Sequence, residues 1–424
     1  MKEPRRRPGA LAGRRLSRHN GRGSKGATMA GLIGTSADGS AVFYQDHKRW
    51  LWALSVFFPL QIFIGIALHA QTGNQLWLLL PLLLNYVGGP LLDALFGEDE
   101  NNPPEEVVMQ LERDRYYRYL TYIAVPVHLL SFYGAAWWAG SQNLSWWAFI
   151  GLAAIAGMTS GLAINTGHEL GHKRSPVERL LSRFVLAIPM YGHFTIDHNR
   201  GHHRDVSTPE DCASSRMGES IYRFALREIP GAFIRAWEIE KERLERRSLS
   251  VWSKDNFILR SLCLSLLIQG FLVVWLGWQM IVFLLVHNAL AYWQLTSANY
   301  IEHYGLLRKR DSEGRYERCK PYHSWNSNHI VSNLSLFHLE RHSDHHTHPL
   351  RRYQSLRHFP ELPSLPTGYF GCYLLAWVPP LWFRVMDKRL LALPHVNHDL
   401  NNVNVDPRRH AALAERYGLA VSTG

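Results

Sequence analysis

The sequence predicts an all-α integral membrane protein, with about six transmembrane helices and a cytoplasmic histidine-rich helical cap. Three observations predict it. Apolar residues gather into runs of about twenty, the length that crosses a hydrocarbon core of roughly 30 Å. Lys and Arg are absent from the short breaks inside successive pairs of runs and crowd into the remaining segments. Histidines cluster just past the ends of apolar runs.

Taken in order, the chain opens on a basic arm. Residues 1–28 hold nine Lys or Arg against one Glu and lack the apolar stretch of a secretory signal. Residues 1–45 therefore read as a disordered arm facing anionic headgroups, not nucleic acid. Spans are expected near 50–70, 75–96, 117–138, 145–165, 257–275 and 279–298. The breaks "QTGN", "GSQNLS" and "LGWQ" carry no Lys or Arg, which places both termini and every large loop in the cytoplasm. Trp77, Trp137, Trp138, Trp146, Trp147, Trp275 and Trp278 gather at the opposite ends, as an aromatic belt does.

Residues 46–165 are then spans one to four, and 166–256 a cytoplasmic segment rich in histidine. Residues 257–298 form spans five and six, and 299–424 a cytoplasmic cap and tail. Gly157 and Gly161 make a small-xxx-small pair in span four, and "GGP" at 88–90 interrupts span two. Close helix packing explains both, with room for an apolar tunnel as the other reading. The apolar stretch near 369–386, with Pro379-Pro380 and Arg384, is expected to lie on the cap or the interface rather than to form a seventh span.

"HELGH" at 168–172 taken alone is the zinc-protease signature, two ligands one turn apart with a glutamate as base. The rest of the chain claims those histidines for something else. "DHNRGHH" gives His198, His202 and His203, where helical spacing puts His198 and His202 on one face and His203 about 100° round it. "NYIEHYG" gives His303, and "RHSDHH" gives His342, His345 and His346. A catalytic zinc needs three protein ligands and an open position. Nine clustered histidines exceed that and suit two metals with four or five imidazoles each. Imidazole accepts iron, copper, nickel and zinc, and the apolar setting favours redox iron. Neutral ligands leave the metal charge uncompensated, so nearby carboxylates should orient ring N–H groups from behind. Asp197, Glu302, Asp344, Glu169 and Asp205 are placed for that. Isolated histidines such as His47, His128, His329, His348 and His410 read as structural.

The four cysteines, Cys212, Cys263, Cys319 and Cys372, form no Cys-x-x-Cys pair, which argues against a disulfide scaffold or an iron–sulfur centre. With no flavin or nicotinamide motif either, electrons must come from outside.

"NTGHELGHK", "HNRGHHRDVSTPED", "ANYIEHYGLLR" and "LERHSDHH" resemble the histidine boxes of membrane alkane 1-monooxygenases, the rubredoxin-dependent ω-hydroxylases. The wider superfamily includes fatty-acid desaturases and xylene monooxygenases. The likeness runs from about residue 45 to 385 and takes in "PLLDALFGEDENNPPEEVV" and "KPYHSWNSNHIVSNL". The "EHYG" box points to the hydroxylases. The resemblance implies two non-haem irons held by His168, His172, His198, His202, His203, His303, His342, His345 and His346. It also implies O2 as co-substrate and oxidation of a linear alkane to a primary alcohol. Rubredoxin would be the electron donor, with rubredoxin reductase and NADH upstream, at a bacterial inner membrane. Asp197 departs from the pattern, which usually has Glu there, and the basic arm is not part of it.

An alkane offers no hydrogen-bonding handle, so it must be held by apolar burial, about 0.8 kcal/mol per CH₂. A tunnel between spans is expected, with Asn85 and Leu92 of span two in its wall. The basic segments "RRYQSLR" at 351–357 and "KERLERR" at 241–247 are expected to steer an acidic carrier. Three other readings compete: a sibling oxygenase acting on acyl or aromatic methyl groups, an intramembrane zinc protease, and a metal transporter. The transporter requires ligands near the bilayer midplane, whereas only His128 and His287 lie well inside spans.

Overall fold

The computed structural model describes residues 31–99 and 101–419. Most of the basic arm, residues 1–30, lies outside them. Six helices among the described residues are long and apolar enough to cross a membrane: Ala53–Thr72, Gln75–Phe96, Arg115–Ser141, Trp146–Gly171, Phe257–Leu276 and Met280–His303. The protein is an all-α integral membrane protein, and the spans fall where hydropathy predicts them. Polar residues set their ends. The Asp114 side chain accepts from Tyr116 N at 2.9 Å to start span three, and Asn256 caps Ile258 N and Leu259 N to start span five. Spans four and six run on past residues 165 and 298, so His168 and His303 ride on unbroken helices.

Spans four and six pack most closely. A Cβ on Gly157 would stand 2.3 Å from the His287 carbonyl oxygen, and one on Gly161 2.4 Å from Gln294 Cβ. Close backbone approach is therefore what Gly157 provides, while Gly161 also borders a cavity. Span two is irregular, with a wide π turn over Leu84–Gly88 ahead of a final helix Gly89–Phe96. Such turns recur at functional sites, and this one carries Asn85.

The stretch near 369–386 forms two short helices, Tyr369–Ala376 and Pro379–Leu391. They bury Tyr369, Trp382 and Met386 against Tyr300, Tyr304 and Trp325, making a cap core rather than a seventh span. Arg384 is exposed. Residues 31–45, expected to be disordered, instead carry a two-stranded antiparallel ribbon, Leu32–Thr35 paired with Ala41–Tyr44. An Asp-Gly turn at 38–39 explains it, with Gly39 at φ 85°.

Two distant motifs lock the cap to the spans. Asp93, fully buried, accepts from Val331 N, Ser332 N and Ser332 Oγ at the start of the helix Ile330–Ser335. Arg341, equally buried, donates to Asp99 at 2.7 Å and to the Leu356 carbonyl at 2.8 Å, and Lys48 also bonds Asp99. "PLLDALFGEDENN" thus anchors "NSNHIVSNL" and fixes the "RHSDHH" histidines against the ends of the spans.

Candidate metal centre

Four elements deliver the clustered histidines to one place. His168 ends span four, with His172 at its C-cap, and His303 ends span six. His342, His345 and His346 share the short helix His342–Thr347. The second box is wound as a π turn over His198–His202, and this changes its partition. In the wider turn residues five apart come into line, so His198 faces His203, Nε2 to Nε2 at 3.1 Å. The expectation that His198 and His202 act as a pair assumed a regular helix and is corrected here.

Two groups result. In one, the donor atoms of His168, His172, His198, His203 and His345 lie within 4.8 Å of one another. In the other, the same holds for His202, His303, His342 and His346. His168 and His345 approach at 3.0 Å, His345 and His203 at 3.2 Å, His342 and His303 at 3.1 Å, and His346 and His342 at 2.9 Å, all Nε2 to Nε2. With metal–nitrogen bonds of about 2 Å, such groups fit one cation each. The chemistry fits too. Burial first, then neighbouring histidines, holds the rings of His172, His198, His342, His345 and His346 well below the usual imidazole range. They are neutral donors, and Nε2 of His172 and of His202 is buried without a hydrogen-bond partner.

The supporting groups differ from those expected. Asp211, not anticipated, is the carboxylate behind a clustered histidine: its Oδ2 meets His202 Nδ1 at 2.8 Å. Burial raises its pKa, but His202 and Arg235 outweigh that and hold it below the usual carboxylate range. Asp197 acts one step further out, since Arg235 spans Asp197 at 2.5 Å and Asp211 at 2.8 Å. The sequence signal for Asp211 was its place at the end of "HNRGHHRDVSTPED". His303 Nδ1 meets the His323 carbonyl at 3.3 Å. Asp344 touches none of the clustered histidines; it meets His348 at 3.0 Å and Arg351 at 2.9 Å. Asp205 pairs with Arg204 at the surface.

Glu169 pairs with Lys173 at 3.1 Å, and the Tyr353 amide donates to it at 3.4 Å. A protease would need that glutamate on the metal side, so the zinc-protease reading loses its base. His128 bonds Thr166 at 3.1 Å and His287 bonds Ser160 at 2.8 Å, so both rings have protein partners inside the bundle.

A narrow cavity of about 50 Å³ runs from the histidines between spans two, four and six. His168, His342 and Glu302 stand at one end, with Asn85, Met158 and Phe370 further along. Leu92 is 42% exposed and outside that wall. Of the two basic segments, "RRYQSLR" is committed internally: Arg351 and Arg357 pair with Glu105, and Arg352 with Glu178. In "KERLERR", Lys241 and Arg246 are exposed, each with a glutamate four residues away.

His193, 8% exposed, has Nε2 without a partner, and burial depresses its pKa to about 4. Unfolded, it titrates near 6.5. The unfolded chain therefore binds the extra proton as pH falls from about 6.5 towards 4, and stability drops in that window by up to about 3 kcal/mol. The detergent-solubilised His193→Gln variant should show a flatter unfolding midpoint between pH 7.5 and 5 than the parent.

Fold and site together define a membrane-embedded protein with two groups of histidines at the ends of spanning helices, each able to hold a metal ion. The fatty acid desaturase family model matches residues 144–372. The chain is 55% identical to alkane 1-monooxygenase of Ectopseudomonas oleovorans, over 90% of this chain and 94% of that protein. It is 54% identical to the Pseudomonas putida enzyme of that name, over 89% and 94%. Identity to the xylene/toluene monooxygenase hydroxylase component of Pseudomonas putida is 28%, over 56% and 63%. The chain belongs to the alkane 1-monooxygenase family.

Proposed function

We propose that this protein hydroxylates the terminal methyl of linear alkanes at a diiron centre, with O2 as co-substrate. In balance, RCH₃, O2, two electrons and two protons give RCH₂OH and water. The observation that carries the reading is the pair of histidine groups at the end of a largely apolar cavity. The relatives' names supply the reaction. When bound, the two irons supply the oxygen-activating redox chemistry, held by the five- and four-histidine groups.

The chain's own residues hold, orient and exclude. Met158, Leu162 and Phe370 bury the alkane, which enters from the bilayer and reaches the histidines methyl first. Asp211 fixes the His202 ring by accepting at Nδ1. The cap core of Tyr300, Trp325 and Trp382 closes the metal end against water. The active site faces the cytoplasm of a bacterial inner membrane, as the Lys and Arg distribution favours. The segments 166–256 and 299–419 form the metal-binding cap over spans one to six; residues 420–424 lie outside the described residues.

Electrons come from reduced rubredoxin, an acidic carrier reduced by rubredoxin reductase and NADH. A basin beside His172 is lined by Arg174, Arg179, Arg183 and Arg200. All four are exposed and none has a carboxylate partner among the described residues. This basin suits the carrier better than the self-paired segments at 241–247 and 351–357.

Metal analysis of the purified protein tests the reading, followed by an octane-to-octanol assay with rubredoxin, its reductase and NADH. The expected result is one iron for each of the two histidine groups and octanol that depends on all components. A single zinc with no iron would overturn it.

A further inference from the structure

Glu302 precedes His303 at the end of span six and is 2% exposed. The Tyr369 hydroxyl donates to its Oε1 at 3.0 Å. Its Oε2 lies 3.4 Å from His342 Nε2, the same nitrogen that faces His303 and His346. A carboxylate that merely orients a ligand histidine belongs on the far ring nitrogen, as Asp211 does at His202. Glu302 is on the near one, while His342 Nδ1 is left buried without a partner. The expectation that Glu302 supports a ring from behind is therefore corrected.

Charge makes the same point. Asp197 has Arg235, Asp344 has Arg351, Glu169 has Lys173, and Asp211 has Arg235 and His202. Glu302 has no Lys or Arg partner among the described residues; its sole ion-pair contact is His342. A buried carboxylate without a cation is strongly disfavoured. The donor count supplies the missing cation: one group has five histidines and the other four, and Glu302 stands against the four.

We propose that Glu302 is the fifth donor to the four-histidine position, held there by Tyr369. The inference rests on the two-metal reading above. It makes the two positions chemically unequal, five imidazoles at one and four imidazoles with a carboxylate at the other. The carboxylate also offsets metal charge where the cavity meets the centre, since Glu302 and His342 both line it.

Mössbauer spectroscopy of protein loaded with iron-57 tests this, together with iron retention against a chelator. Wild-type protein should give two distinct quadrupole doublets. In Glu302→Gln one doublet should change and the other stay. Affinity for one of the two irons should fall by more than the roughly 10–100-fold expected on losing an outer partner, for which Asp211→Asn is the control. Both doublets unchanged with both irons retained would overturn the proposal. If Glu302→Gln does not fold, Tyr369→Phe is read instead: a shift confined to one doublet supports the assignment, and two unshifted doublets overturn it. Wild-type protein without two irons would strike at the two-metal reading itself, and so is distinguishable from failure of this step.

Discussion

Alanine at His202 and alanine at His203 should each leave the protein with a different metal missing. The residues are adjacent, yet the π turn over His198–His202 sends His202 to the group with His303, His342 and His346, and His203 to the group with His168, His172, His198 and His345. Each variant should retain iron at the untouched position, and the iron-57 doublet lost in one should be the doublet kept in the other. Octanol formation should fall in both by at least about 100-fold, beyond what loss of an outer partner causes, because the proposed reaction needs both metals. Asp211→Asn should do less, as it removes the carboxylate charge behind His202 Nδ1 but no metal donor. Loss of the same doublet from both variants would mean that the second box serves one metal, as a regular helix would have it.

That contrast marks where sequence reasoning stopped. The six spans were legible because hydropathy over twenty residues is a property of composition, and so was the end of the bundle at which the histidines gather. The partition of the second box was not, since helical periodicity assumes 3.6 residues per turn and nothing in "HNRGHH" announces a wider one. Carboxylates were harder still. Asp344 and Asp205 neighbour histidines in sequence but turn to Arg351 and Arg204. Asp211, nine residues from His202, turns back to it. Glu302 could be singled out, but which ring nitrogen it meets depends on a helix some forty residues on. The basic segment at 351–357 was misleading for a related reason, because Arg is as suited to internal pairing as to a partner's surface.

The length of alkane accepted should be set at Met158. Span four is continuous from Trp146 to Gly171, and Met158, Gly161, Leu162, Asn165 and His168 all line the cavity, the spacing of one helix face. Ten residues separate Met158 from His168, about 15 Å along the axis. In the proposed binding mode, with the methyl end at the histidine groups, a larger side chain at Met158 therefore shortens the space available to the chain. Met158→Trp should leave short alkanes nearly unaffected and depress kcat/KM progressively as chains lengthen. Each methylene denied burial costs about 0.8 kcal/mol, or roughly fourfold, so four methylenes amount to about 200-fold. The measurement is kcat/KM over a homologous series with carrier and reductase in excess. A uniform loss at every length would make Met158 a packing residue and place the far end of the chain elsewhere. A break at one length would locate the wall, because burial accumulates methylene by methylene whereas helix packing does not depend on the substrate at all.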